Sequence, residues 1–168
     1  MFYGVSTLTA TVNVKLPRSL VERLEREARK AGLSFEEYLL ELALRDLDPS
    51  ERIREYLEAS KSLLEQAREE LGKDNVRQAA EKLWGVAALV VKAYAEWRDK
   101  KRLTNHGELW EYMRKLKNEL GDWVYDSWMS ANGMHICFYE GWCGKEDVED
   151  AIKRIEKLLV EIEKLIKI

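Results

Sequence analysis

The chain has 168 residues, 46% of them apolar and 35% charged, which is enough for one core in one domain, or in a small domain with an appendage. Its net charge of −3 at pH 7 excludes a global basic field, so any nucleic-acid binding has to come from a local patch. The longest apolar run, residues 83–91, is too short to span a bilayer, and no basic stretch followed by an apolar one opens the chain. The expectation is a cytoplasmic protein with no membrane partner. Glu, Lys and Arg dominate while Gln occurs only at Gln66 and Gln78, a balance that fits a thermophile.

Residues 7–16 alternate strictly. Leu8, Ala10, Val12, Val14 and Leu16 are apolar; Thr7, Thr9, Thr11, Asn13 and Lys15 are polar. Period two with β-branched residues predicts one strand with one wet face, ended by Pro17. A helix over residues 18–31 follows, with Leu20, Val21, Leu24 and Ala28 on one face and Gly32 as its stop. Ser34, with Glu37 three residues on, predicts a capping box for a short helix that buries Phe35, Tyr38, Leu39, Leu42 and Ala43.

Asp48-Pro49-Ser50-Glu51 combines an N-cap, Pro at the first helical position and a Glu placed to close a capping box, and predicts a long helix to about residue 71. Asp74 is the expected cap of the next helix, to about residue 98. That helix is apolar almost all round between Leu83 and Trp97, which places it at the centre of a bundle. Asn105 and Glu108 predict another capping box at a helix start, and Asp122 starts a further helix that Asn132-Gly133 should kink or end. In the last helix Val148, Ile152, Ile155, Leu159, Ile162 and Ile166 step by four and three, a heptad seam. Short connections imply antiparallel neighbours. The fold expected is mainly α: a four- to five-helix antiparallel bundle over residues 48–168, preceded by a strand-helix-helix arm over residues 1–47.

Strand, Pro, helix, Gly and Ser-capped helix over residues 11–44 resemble the ribbon-helix-helix DNA-binding fold. The resemblance implies that two chains pair their strands, a homodimer, and present outward side chains to the major groove. Those positions fall on Thr11, Asn13 and Lys15; Ser34 at its helix N-terminus would hold a phosphate. Residues 1–34 carry six basic and three acidic side chains, and Glu36, Glu37, Glu41 and Asp46 then offset them. The alternatives are an arm that only dimerises and a segment that merely packs on the bundle.

In the second half, residues 77–85 (RQAAEKLWG), 106–110 (HGELW) and 135–142 (HICFYEGW) resemble the archaeal PaREP family. That family is similar to the HEPN superfamily of nucleotide-binding helical bundles. Many HEPN proteins are metal-independent ribonucleases in which an Arg steadies phosphate charge and a His a few residues on moves a proton. The only match for that His is His135, and five residues earlier stands Ser130, not Arg. No Arg or Lys lies between Lys117 and Lys145. Catalytic residues are therefore not expected, His135 being the candidate if the chain is a ribonuclease after all. Ser130, Asn132 and His135 are the candidate nucleotide-binding groups. A packed, hydrogen-bonded His135 among Met134, Ile136, Phe138 and Tyr139 is the plainer alternative, and His106 reads as an early residue of its capped helix.

His135, Cys137 and Cys143 match no common zinc spacing, so neither a metal nor a cofactor is expected. A Cys137–Cys143 disulfide is not expected if both lie on one helix. Arg98, Lys100, Lys101 and Arg102 close the central helix, where cations favour its dipole; a phosphate-binding patch is the alternative. The favoured function is non-enzymatic nucleotide or nucleic-acid binding, as a regulator or a toxin–antitoxin-like component. The alternatives are a HEPN-type ribonuclease using His135 and a structural oligomerisation module. A nucleotidyltransferase partner is implied by the resemblance alone.

Overall fold

The computed structural model describes residues 9–168. It contains seven helices among those residues: α1 (Arg18–Ala31), α2 (Phe35–Leu44), α3 (Pro49–Gly72), α4 (Val76–Asp99), α5 (His106–Leu120), α6 (Asp122–Glu140) and α7 (Lys145–Leu165). That exceeds the four or five expected of the bundle, because α1 and α2 precede it. The expected strand is not formed: residues 9–16 have no regular structure, and residues 7 and 8 lie outside the described residues. A lone strand has no ladder to join in a single chain, so its amides and carbonyls stay unpaired.

The helix starts follow local chemistry. Ser34 and Glu37 exchange side-chain and backbone hydrogen bonds in a full capping box. Asp48 accepts from the amides of Ser50 and Glu51, with Pro49 at the first position. Asn105 accepts from Glu108, whose carboxylate turns to Thr104 instead. Two expectations fail. Asp74 does not cap α4; it takes a left-handed turn (φ 61°) and Asn75 occupies the cap position without a side-chain cap bond. Nor do Asn132-Gly133 break α6, which runs through them. The roughly 1 kcal/mol that a mid-helix Gly costs is offset by burial of Trp128, Ala131, Met134 and Cys137 on its inner face.

α4 is the axis of the bundle. Its residues from Leu83 to Glu96 are all buried, and α3, α5, α6 and α7 pack against it. The ion pairs Lys61–Glu163 and Arg68–Glu156 set α3 antiparallel to α7. Arg77 at the start of α4 donates to the carbonyls of Phe138 (2.8 Å) and Tyr139 (3.0 Å) at the end of α6. This sets those two helices antiparallel and satisfies orphan carbonyls of α6. The heptad seam of α7 is buried at every one of its six positions.

α2 buries a different face from the one expected. Leu39 and Ala43 are exposed, and the stripe toward the bundle is Glu37, Leu40, Glu41 and Leu44. A carboxylate can sit in that stripe because α4 supplies its counter-charge, as described below. α1 packs chiefly on α2, with only Ala28 of its apolar face fully buried.

Candidate functional site

Helical spacing puts Glu81 and Trp84 on one face of α4, and His135 and Tyr139 on one face of α6. Where the two faces meet, His135 Nδ1 lies 3.0 Å from Glu81 Oε2. The imidazole stacks on the Trp84 indole, centroids 4.8 Å apart and planes 28° apart. Tyr139 meets the imidazole edge-on at 5.2 Å. His106, the first residue of α5, stands edge-on to both Trp84 (5.3 Å) and His135 (5.5 Å). Four aromatic rings and one carboxylate, drawn from three helices, thus form one cluster.

Burial pushes the Glu81 carboxyl above its ordinary range, against the pull of His135, and the nearby Glu37 and Glu36 add to the rise. Burial likewise holds His106 below its ordinary value. Burial thus opposes the charged form of each group. Trp84 Nε1 and His106 Nε2 are buried and have no hydrogen-bond partner within the protein.

Glu81, Trp84 and Tyr139 also line a cleft of about 410 Å³ between α2, α3, α4 and α6. Leu40, Leu63, Leu89 and Phe138 make it largely apolar; Ser34, Ser62, Gln66 and Gln78 add neutral polar groups. Its charged lining is Glu36, Glu37, Glu81 and Lys82. Gly85 lets α3 approach closely: a Cβ there would lie 2.8 Å from Leu63 Cδ1. Thr9 Oγ1 reaches Ser62 Oγ at 2.7 Å, which places Thr9 beside this cleft.

A buried ionic network fixes the α2 wall. Lys92, only 2% exposed, pairs with Glu41 at 2.8 Å. Arg102 reaches the other Glu41 oxygen at 3.0 Å, and Tyr56 Oη donates to the same carboxylate. Beside it Arg52 grips Glu96 through Nε and Nη2 and donates to the carbonyls of Leu44, Arg45 and Leu47 at the end of α2. Burial raises the Glu41 carboxyl, but Lys92 and Arg102 outweigh it and hold it below the ordinary value.

Of the residues singled out in the sequence, His135 belongs to the cluster. Asn132, three residues before it, shares its helix face; Ser130 lies about 140° around the helix from it. Thr11, Asn13 and Lys15 are exposed on the extended segment. Ser34 is engaged in the capping box and lines the cleft. Arg102, read as a helix-end cation, is part of the ionic network. Cys137 and Cys143 form a disulfide, contrary to expectation, with Cα atoms 5.6 Å apart. α6 ends at Glu140, and Gly141 (φ 70°) turns the chain back toward it. The two cysteines therefore do not share a helix, and their sulfurs are spent on each other rather than available to a metal.

Sequence reasoning missed Glu81, Trp84, Glu41 and Lys92. The signal for the last pair was present: Lys92 interrupts a helix that is otherwise apolar all round, and a lysine so placed requires a buried carboxylate.

A family model described as the archaeal PaREP1/PaREP8 family matches residues 55–159. The match runs from α3 into α7 and takes in Glu81, Trp84, His106 and His135. No curated protein and no solved structure matches the chain.

Proposed function

The chain belongs to the archaeal PaREP1/PaREP8 family, and we propose that it is a non-enzymatic, homodimeric nucleic-acid-binding protein whose arm, residues 1–47, pairs with a second copy. One observation carries this reading. Val12, Val14 and Leu16 are 78%, 69% and 46% exposed, alternating with the polar Thr11, Asn13 and Lys15. A segment with both faces in water buries nothing in a single chain. Pairing with the same segment of a second copy covers the apolar face, joins the backbone groups, and leaves Thr11, Asn13 and Lys15 outward. Leu20 and Leu39 add further exposed apolar surface to the arm. Residues 1–34 carry six basic and three acidic side chains, so the basic surplus is confined to the extended segment and α1 and is offset by the acidic side chains of α2 and its end.

The HEPN-like bundle, residues 48–168, is then the regulatory or scaffolding body. A phosphate beside Ser130, Asn132 and His135 is disfavoured by Glu81, Glu37 and Glu36, and Ser34 faces the same acidic cleft. The ribonuclease reading has one observation in its favour, the His135–Glu81 pair, which is how a general base is commonly held. It lacks the cation that would steady the phosphate, because Ser130 stands there and points off the His135 face. Light scattering at micromolar concentration tests the dimer: a homodimer is expected, reduced to monomer by Val12→Asp with Val14→Asp. A wild-type monomer contradicts the assignment.

A further inference from the structure

The charge of the cleft is at odds with an anionic ligand. Three carboxylates line it, Glu36 and Glu37 from α2 and Glu81 from α4, against one lysine, Lys82. Glu81 senses both α2 carboxylates, so the three share one electrostatic neighbourhood although they come from two helices. Lys82 is divided between the cleft and Glu70, whose carboxyl it helps to hold down. The apolar part of the wall is aromatic as well as aliphatic, with Trp84, Phe138 and Tyr139 beside Leu40, Leu63 and Leu89.

From this lining we infer that the cleft binds an alkylammonium ligand of the di- or polyamine class. Its methylene stem lies along the leucine and aromatic wall, and its ammonium groups face the carboxylates. An aliphatic stem with charged ends matches both properties of the cleft. The apolar wall covers the methylenes, and the carboxylates supply partners at more than one depth, since Glu36 is exposed while Glu81 is mostly buried. A nucleoside phosphate meets the reverse charge. The inference does not depend on strand pairing by the arm, because the cleft is lined by residues of one chain, those of α2 included.

The test is calorimetric titration of the full chain with spermidine, with AMP and with a lysine-rich peptide, at low and at moderate salt. Saturable spermidine binding at one site per chain is expected, with AMP not competing. Glu36→Gln with Glu37→Gln removes two charges and keeps the capping box, since Gln serves the same role. It is expected to weaken spermidine binding at least about tenfold, while Glu149→Gln, on the exposed face of α7, leaves it unchanged. Should the double variant melt early, Glu81→Gln provides the same reading from α4. No saturable binding, equal loss in the Glu149→Gln control, or displacement by AMP overturns the inference. Peptide binding tighter than spermidine overturns the free amine as ligand in favour of a partner's lysine side chain.

Discussion

Replacing Glu41 by Ala perturbs the contact that ties the arm to the bundle. Lys92 is 2% exposed and has Glu41 as its only carboxylate within ion-pair distance among the described residues. The substitution leaves that ammonium buried and uncompensated, and takes an acceptor from Tyr56 and from Arg102. Breaking a buried pair from one side costs about 3–5 kcal/mol. For a chain of this size, that corresponds to a fall in Tm of roughly 6–20 °C. Glu41→Leu with Lys92→Met removes both charges and is expected to recover most of the loss, because the apolar pair needs no desolvation. The pH dependence has a definite sign. The folded carboxyl is held below its ordinary value of 4.5, so its contribution is complete above that value and is lost as pH falls through the lower folded value. Urea unfolding followed by circular dichroism, at neutral pH and at successively lower pH, measures both effects. A loss under about 1 kcal/mol for Glu41→Ala, or no recovery in the double variant, refutes the role assigned to the network.

Neither the wild-type chain nor Ser130→Arg is expected to cleave RNA, since an Arg there leaves α6 about 140° from His135; cleavage by the wild type that is lost in His135→Ala contradicts this. Cys137→Ser is expected to lower stability by about 2 kcal/mol, from the short loop the disulfide closes, and reductant should lower the wild-type Tm but not that of the variant. Gly85→Ala is expected to leave Tm within a few degrees, because the gain in helix propensity of about 1 kcal/mol is offset by strain on Leu63. The displaced Leu63 end should turn into the cleft and weaken spermidine binding, so undiminished affinity counts against that placement.

The parts of this fold that could be read in the sequence are those decided within a few residues. Ser34 and Glu37, Asp48 and Pro49, and the seam of α7 all depend on neighbours in the chain, and each is in the structure. The failures have long-range causes. Glu81 and His135 are 54 residues apart, and Glu41 and Lys92 are 51. In a chain where a third of residues are charged, no local pattern selects those pairs. The α2 face was misassigned for the same reason: hydrophobicity alone favoured Leu39 over Glu41, while packing favoured the residue whose charge α4 could match. Asn132-Gly133 has a turn-forming composition, but the inner face of α6 outweighs it. The disulfide depends on a reversal at Gly141 that places Cys143 off the helix.

The central claim is that the arm contacts nucleic acid. Its most direct test is fluorescence anisotropy of the full chain on random-sequence DNA duplexes as salt is raised, followed by selection of the bound pool. The account predicts binding by a dimer that falls steeply with salt, with a log–log slope of about −3 or steeper. It also predicts that Lys15→Ala and Asn13→Ala change the selected sequence more than Arg29→Ala does. No binding at low salt, or equal effects from all three substitutions, contradicts it.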